Sequence, residues 1–240
     1  MPRALVTTFE LGRTGALSTF VIIVIFVLLV LTILFIVFME RALRKILINY
    51  PKRQMGNKMY GGESSHLPLK LNSAGVIPAI FASALLLLPV TFSNFNFSED
   101  SILINIASYF TQGQPLYMIL YGAGIIFFTF FYTSIVFNPV ETADNLRKYG
   151  GYIPGIRPGE NTAFYIERIL TRLTTIGALY LTLVCLMPEF LIAKYPIPFY
   201  LGGTSILIVV VVAMDTVTQV QTRLMSSQYQ SLIKKAKFGN

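Results

Sequence analysis

Long runs of apolar residues alternate with polar segments along this chain. The longest run covers 16–39, "ALSTFVIIVIFVLLVLTILFIVFM", and contains no charged residue. Because a helix that crosses a bilayer needs about 20 apolar residues at about 1.5 Å each, a run of this kind predicts a membrane-spanning helix. Four further runs have a similar length. The pattern therefore predicts five transmembrane helices, over 16–39, 74–93, 116–137, 174–193 and 200–220.

Two of the intervening polar segments are unusually long. The first loop, 40–73, and the second loop, 138–173, each exceed thirty residues. Because loops of that length are usually functional, these two are the natural places to look for binding residues. The remaining segments are 1–15, 94–115, 194–199 and the carboxyl-terminal tail 221–240.

Composition agrees with a membrane protein. Hydrophobic residues make up 54% of the 240 residues, and charged residues only 12%. A typical soluble domain contains about 45–50% apolar and about 25% charged residues. The fold class predicted from the sequence is therefore an all-α, multi-pass membrane protein.

Basic residues lie almost entirely on one side of this predicted topology. All but three of the 19 Lys and Arg residues fall in the first loop, the second loop or the tail 221–240. Lys and Arg are enriched in cytoplasmic loops, so these segments are predicted to be cytoplasmic, with the amino terminus outside and the carboxyl terminus in the cytoplasm. Anionic lipid and ribosomal RNA are both suitable partners for such basic loops.

The segment 1–15 is predicted to lie outside, ahead of the first span, although no earlier helix would carry it there. It contains two arginines and one glutamate, which is unusual at the start of an independent membrane protein. We therefore expect the chain to be the later part of a larger membrane protein, with Met1 as an internal or artificial start.

The first loop begins with a helix-like basic run and continues to the pair Gly61-Gly62. A glycine pair suits a tight turn, which predicts a β-hairpin with Lys58–Tyr60 and His66–Leu71 as its arms. A solvated basic loop that contacts anionic lipid is the alternative interpretation.

The second loop is divided by prolines and glycines. Asn138-Pro139 ends one span and starts a short helix that runs to Lys148, where Gly150-Gly151 stops it. A second helix is predicted to begin near Glu160 and to continue into the next span.

Between these helices lies "YIPGIRPGEN", residues 152–161. The turn dipeptides Pro154-Gly155 and Pro158-Gly159 are expected to hold Ile156 and Arg157 at an exposed tip. A stiff loop that presents an arginine suits a docking surface, because little entropy is lost on binding. An anchor at the membrane interface is the alternative.

Catalytic and metal-binding motifs are absent from the sequence. It has neither Gly-x-Ser-x-Gly nor His-Glu-x-x-His nor a phosphate-binding Gly-x-x-x-x-Gly-Lys loop. One histidine, His66, excludes a His-pair metal site, and one cysteine, Cys185, is predicted to be inert packing. No enzyme activity and no cofactor are therefore predicted. Asp215, an acid inside the last predicted span, keeps a secondary transporter as the rival interpretation.

Several motifs, in this order, resemble the carboxyl-terminal half of the SecY family, the channel subunits of the bacterial general protein translocase. The resemblance covers essentially the whole chain, from the outer loop before the family's sixth span through its tenth. The motifs are "INYPKRQMG", "HLPLKLNSAGVIPAIFAS", "FFYTSIVFNPVETADNLRK", "GIRPGE", "PEF", "PFYLGGTSILIVVVVAMD" and "QVQTRLMSSQY".

This resemblance implies one half of a pseudosymmetric channel in the bacterial cytoplasmic (inner) membrane. Such a channel translocates unfolded preproteins across the membrane and inserts membrane proteins into it. The amino-terminal half of SecY would have to be supplied in addition to this chain, and SecE and SecG would complete the complex.

The resemblance also implies roles for particular residues. Family positions of the pore ring fall on Ile80 and Ile208, where isoleucines would form a dry, deformable constriction. The lateral gate would include Pro78, Ile80 and Phe81, with a kink at Pro78.

Both long loops would be docking surfaces for the SecA motor ATPase and the ribosome, with membrane lipid as an alternative contact. Arg157 is the first candidate because it matches the arginine of the family's "GIRPG" motif. The supporting basic residues are Arg44, Lys45, Lys52, Arg53 and Lys58.

Overall fold

A computed structural model of the protein describes residues 19–51, 53–55, 58–60, 64–93, 110, 113–194 and 203–237. Within these residues the chain is mostly helical, which confirms the predicted fold class. The helices are α1 (Thr19–Glu40), α2 (Ile77–Ser93), α3 (Pro115–Val136), α4 (Pro139–Lys148), α5 (Glu160–Lys194) and α6 (Gly203–Lys237). The strands are β1 (Leu43–Asn49), β2 (Arg53–Met55), β3 (Lys58–Tyr60) and β4 (Ser64–Lys70).

Four of the described helical segments are long and apolar enough to cross a membrane. They are Phe20–Glu40, Pro115–Lys148, Glu160–Leu191 and Thr204–Ser226.

The helix in the predicted run 74–93 is shorter than these. It begins only at Ile77, and this helix, α2, has 17 residues. A helix of this size is about 26 Å long, a little less than the hydrocarbon thickness of about 30 Å.

Helix α5 forms the centre of the apolar part of the structure. Half of its candidate span is buried, compared with 11% of that of α1. Leu181, Val184 and Cys185 of α5 are almost fully buried and share one cluster with Tyr121 and Ile125 of α3. The burial of Cys185 agrees with its predicted packing role.

Small residues bring the helices close to one another. A Cβ atom at Gly124 of α3 would lie 3.3 Å from the Cβ of Ala82 on α2. One at Gly122 would lie 3.3 Å from Cγ2 of Thr182 on α5. Since even a methyl group would be crowded at both positions, glycine allows α3 to pack closely against both neighbours.

The strand pairing in the first loop differs from the predicted hairpin. Strand β1 pairs with β4 in antiparallel register, from Leu43 opposite Lys70 to Asn49 opposite Ser64. Lys58–Tyr60 pairs instead with Arg53–Met55. The predicted hairpin arms, Lys58–Tyr60 and His66–Leu71, are therefore wrong partners, and Gly61-Gly62 lies outside the described residues.

The helix-like interpretation of the basic run after residue 40 is also wrong, because this run forms β1. Ile46 and Ile48 alternate with exposed residues along β1, and both are buried. With Leu69 of β4, Ile46 belongs to a cluster that includes Ile166 and Leu170 of α5. Burial with a period of two residues favours a strand over a helix.

The second loop folds as its punctuation predicts. The Oδ1 atom of Asn138 accepts hydrogen bonds from the backbone N–H of Val140 at 3.1 Å and of Glu141 at 3.3 Å, which caps α4. Gly150 follows α4 with a φ of +74°, a value that favours glycine at a helix end. Helix α5 begins at Glu160 and continues without a break.

The kink predicted at Pro78 does not follow from the structure. Pro78 is the second residue of α2, and the N–H groups of a first helical turn have no partner inside the helix. Proline at this position therefore breaks no intrahelical hydrogen bond. The proline in the interior of α2 is Pro89.

Candidate functional site

The corner around Arg157 is rigid because its backbone is tied on both sides. Gly155 has a φ of +82° and Gly159 a φ of +111°, conformations that residues with a side chain rarely adopt. The backbone N–H of Ile156 donates to the Ile153 carbonyl oxygen at 3.1 Å. On the other side, Oγ1 of Thr162 donates to the carbonyl oxygen of Arg157 at 2.9 Å.

The two residues predicted at the tip of this corner have different surroundings. The Arg157 side chain is exposed, as predicted. Ile156 is half-buried and packs against the cluster that contains Ile153 and Ile166. The corner therefore presents one arginine and is fastened to the protein by the isoleucine beside it.

The corner is also joined to the first loop. Asn49 and Tyr152 exchange backbone hydrogen bonds of 2.9 and 3.0 Å. Next to this pair, a Cβ at Gly151 would lie 3.0 Å from Cε1 of Tyr50 and 3.1 Å from Cγ2 of Ile48. Glycine is needed at 151 because the two loops approach so closely, so the loops form one unit.

The supporting basic residues are spread along the first loop. Arg44 and Lys45 are exposed on β1, and consecutive residues of a strand point to opposite faces. Both lie near the amino-terminal end of β1, which follows α1. Asn49, at the carboxyl-terminal end of β1, adjoins the second loop. Arg53 lies on β2 and Lys58 on β3, and Lys52 lies outside the described residues.

The predicted pore-ring and gate residues have unequal exposure. On α2, Ile80 is 44% exposed and Phe81 is 54% exposed. Pro78 is buried, as are Ala79 and Ala82 on the face of α2 that packs inward. Helix α2 therefore leaves one apolar face largely exposed, and that face carries two of its three predicted gate residues, although the Phe81 ring also lies 5.8 Å from that of Phe128 on α3.

Ile208, the second predicted pore-ring residue, is half-buried on α6. Asp215 lies seven residues later, about two helical turns along the same face. It begins a stripe of exposed polar residues at helical spacing. The stripe consists of Asp215, Thr218, Gln219, Thr222 and Arg223.

Asp215 is the one member of this polar stripe for which the sequence predicts a function. The other members are recognisable by their spacing of three, four, seven and eight residues from Asp215, once α6 is known to continue past residue 220. The predicted span ends at 220, which places Thr222 and Arg223 in the tail.

A partly buried polar cluster and a buried glutamate also lie among the described residues. A cluster of Glu40, Asn72 and Tyr180 surrounds the start of α2, and no sequence motif indicated it. Glu189 of α5 is almost fully buried, and its Oε2 atom has no hydrogen-bond partner among the described residues. No group of three or more potential metal ligands occurs among the described residues.

Comparison with known proteins gives the affiliation of the chain. The SecY family model matches residues 1–217. The chain belongs to the SecY family. The resemblance inferred from the sequence motifs is thereby confirmed, and the membrane-spanning interpretation of the apolar helices agrees with it.

Curated SecY relatives match over all or nearly all of this chain. The protein translocase subunit SecY of Rickettsia bellii is 55% identical over 240 residues, which cover 100% of this chain and 55% of the relative. That of Escherichia coli K12 is 53% identical over 238 residues, covering 98% of this chain and 54% of the relative. The chain therefore spans about half the length of the SecY relatives it matches.

A solved SecY structure also aligns with the chain. It comes from work on how the plug domain of the SecY protein stabilises the closed state of the translocation channel and maintains a membrane seal. The alignment has a TM-score of 0.49 at 20% identity and covers 78% of this chain and 47% of the solved one.

Proposed function

We propose that this chain forms the carboxyl-terminal half of a protein-conducting channel. The channel translocates unfolded preproteins across the bacterial cytoplasmic membrane and inserts membrane proteins into it. Membership of the SecY family supports this function, and the observation that carries it is the polar stripe on α6.

Polar side chains on one face of a membrane helix are costly next to lipid and are normally found facing water or protein. The stripe from Asp215 to Arg223 is exposed in this chain, so it requires an aqueous or protein surface beyond it. The half-buried Ile208 precedes the stripe on the same face. An apolar constriction that opens into a polar vestibule is the arrangement expected of a gated pore.

The amino-terminal half of the channel supplies the opposite wall. In this proposal Ile80 and Ile208 provide this half's share of the pore ring. The largely exposed face of α2, with Ile80 and Phe81, faces the other half as one side of a lateral gate. Pro78 contributes by packing the buried start of α2.

Both loops face the cytoplasm in this proposal, and the amino terminus of the chain lies outside. The joined loops form the docking surface for the SecA motor ATPase and the ribosome, with the exposed Arg157 as the principal contact. The supporting basic residues add contacts to the partners. They do so from the two-stranded ribbon of β1 and β4 and from the shorter two-stranded ribbon of β2 and β3. SecE and SecG complete the complex, and the energy for transport comes from the partners.

The experiment compares Arg157→Glu with the native residue in a complex of this chain, a matching amino-terminal half, SecE and SecG. Uptake of a presecretory protein into vesicles is measured in the presence of SecA. Arg157→Glu is expected to reduce uptake about tenfold or more, because reversing the charge of a principal contact residue should cost about 1.4 kcal/mol of binding or more. Lys148→Glu is the matched control, since Lys148 is another exposed basic residue of the second loop.

Equal uptake by native and Arg157→Glu complexes would show that Arg157 is not a docking residue. An equal loss in Arg157→Glu and Lys148→Glu would show that the loop responds to charge alone. Absence of uptake by a fully assembled native complex would contradict the channel function itself.

A further inference from the structure

The cluster of Glu40, Asn72 and Tyr180 ties the start of α2 to two other helices. The Asn72 side chain donates from Nδ2 to Oε1 of Glu40, the last residue of α1, at 2.7 Å. Tyr180 of α5 donates from its hydroxyl group to the same Glu40 oxygen at 3.4 Å. Asn72 and Tyr180 are both almost fully buried, whereas Glu40 is half-buried, so these hydrogen bonds are partly shielded from water.

The amide group of Asn72 also shapes the turn that precedes α2. Its Oδ1 atom accepts from the backbone N–H of Gly75 at 3.1 Å, and Nδ2 donates to the Gly75 carbonyl oxygen at 3.2 Å. Gly75 has a φ of +64°. One side chain therefore closes the turn and connects it to α1.

The residue before Asn72 is held from both sides. The backbone N–H of Leu71 donates to the carbonyl oxygen of Ala42, just after α1, at 3.0 Å. A Cβ at Gly177 of α5 would lie 3.0 Å from the Leu71 carbonyl oxygen. Because α5 approaches the chain this closely only through a glycine, the linker between β4 and α2 has little freedom to shift.

The rest of α2 is attached on one side. Among the described residues its extensive contacts are with α3, through a face that includes Ala79 and Ala82. Its other face carries Ile80 and Phe81, both about half exposed, and of these two the Phe81 ring also contacts Phe128 of α3. A helix held along one side and at one end can tilt about that end.

We propose that the hydrogen bond between Asn72 and Glu40 is a latch that sets the resting position of α2, and that its release lets α2 tilt and open the lateral gate. This inference rests on the proposed channel function. Asn72 and Glu40 are positioning residues, since they act through α2. Strand β4 ends at Lys70, and Leu71 alone separates this strand from Asn72. A partner docked on the ribbon of β1 and β4 therefore acts on the latch through Leu71.

The test uses the full-length channel complex in lipid vesicles, with the variants Asn72→Ala and Glu40→Ala. Glu40→Gln is the conservative variant because it keeps the Oε1 acceptor for Asn72 and Tyr180. Ser73→Ala is the matched control, since Ser73 donates only to the Lys70 carbonyl oxygen in an exposed bond next to the latch.

The first measurement is amide hydrogen exchange at the start of α2. The N–H groups of Ala79 and Ile80 donate to the carbonyl oxygen of Val76 at 3.1 and 3.3 Å. Their exchange is expected to become about tenfold faster in Asn72→Ala and Glu40→Ala, because these hydrogen bonds open locally when the latch is lost. Exchange in Glu40→Gln and Ser73→Ala is expected to stay at the native rate.

The second measurement is the ion leak of the resting channel, which is expected to rise several-fold in the two latch-breaking variants only. Unchanged exchange in Asn72→Ala would overturn the proposal. Faster exchange without added leak, in a complex that still translocates, would also overturn it, because the cluster would then only cap the turn. A leak in Glu40→Gln equal to that in Glu40→Ala would exclude the hydrogen bond as the cause.

The native complex is assayed for preprotein uptake alongside these variants. If the native complex takes up no preprotein, the proposed function and the gating role both fail. If the native complex takes up preprotein but the latch variants show native exchange and leak, only the latch proposal fails. The two failures are therefore distinguishable.

Discussion

Asn49 and Tyr152 join the two long loops by a pair of backbone hydrogen bonds, 2.9 and 3.0 Å long. This pair lies between the end of β1 and the corner that carries Arg157. It places the arginine in a fixed position relative to the ribbon of β1 and β4. The docking surface proposed for the channel partners therefore depends on this connection as well as on exposed charges.

Tyr152→Pro is expected to break this connection. Proline has no backbone N–H, so the bond from Tyr152 to the Asn49 carbonyl oxygen is lost, at a cost of about 1–3 kcal/mol. SecA-dependent preprotein uptake should fall, and proteolytic cleavage of the second loop should become faster. Tyr152→Ala is the control because it keeps the N–H group. The prediction fails if both variants behave alike in the cleavage assay.

Gly124→Val is expected to separate α2 from α3. The Cβ at position 124 would lie 3.3 Å from the Ala82 Cβ, and two more carbon atoms would force the helices apart at a cost of about 1–3 kcal/mol. The midpoint of thermal unfolding of the purified complex should decrease. Ala123→Val, on an exposed position of the same helix, should leave the midpoint nearly unchanged. Equal midpoints for the two variants would contradict the close contact between α2 and α3.

Thr222→Cys is expected to react with a membrane-impermeant maleimide in the assembled channel. Thr222 belongs to the polar stripe, whereas Val220 lies on a different, apolar face at nearly the same depth. Thr222→Cys should be labelled at least about tenfold faster than Val220→Cys, because a thiol in lipid stays protonated and unreactive. The native Cys185 can remain, since it is fully buried. Similar labelling rates would show that the stripe does not border water.

Helices could be predicted from the sequence because their signals are local. Each of the five apolar runs contains a helix in the structure. Asn138 at the start of α4 and Gly150 after its end act through their own backbone neighbours. The exposure of Arg157 followed in the same way from two proline–glycine turns beside it.

Strand pairing could not be predicted from such signals. Gly61-Gly62 favours a hairpin between its immediate neighbours, yet β1 and β4 are paired from opposite ends of the loop. Ile46 and Leu69 are buried in a cluster with residues of α5, which a local reading does not include. The same limitation hid the packing of Ile156.

The start of α2 illustrates how a single polar contact shifts a boundary. The apolar run begins at 74, but the helix begins at Ile77, because the side chain of Asn72 closes a turn around Gly75. Pro78 then falls in the first turn and produces no kink. The partner of Asn72 is Glu40, which is distant in sequence, so no spacing rule could have indicated it.

The polar stripe on α6 also has a consequence for biogenesis. Of the four segments long enough to span a membrane, Thr204–Ser226 is the least apolar, and Phe20–Glu40 is the most apolar. Each charged residue near the middle of a helix raises the free energy of its insertion by about 2.5–3.5 kcal/mol. Helix α1 can therefore enter the bilayer on its own hydrophobicity, whereas α6 gains from helices already inserted. The same polar face that suits a passage for other polypeptides therefore makes α6, among these four segments, one that benefits from help to enter the membrane.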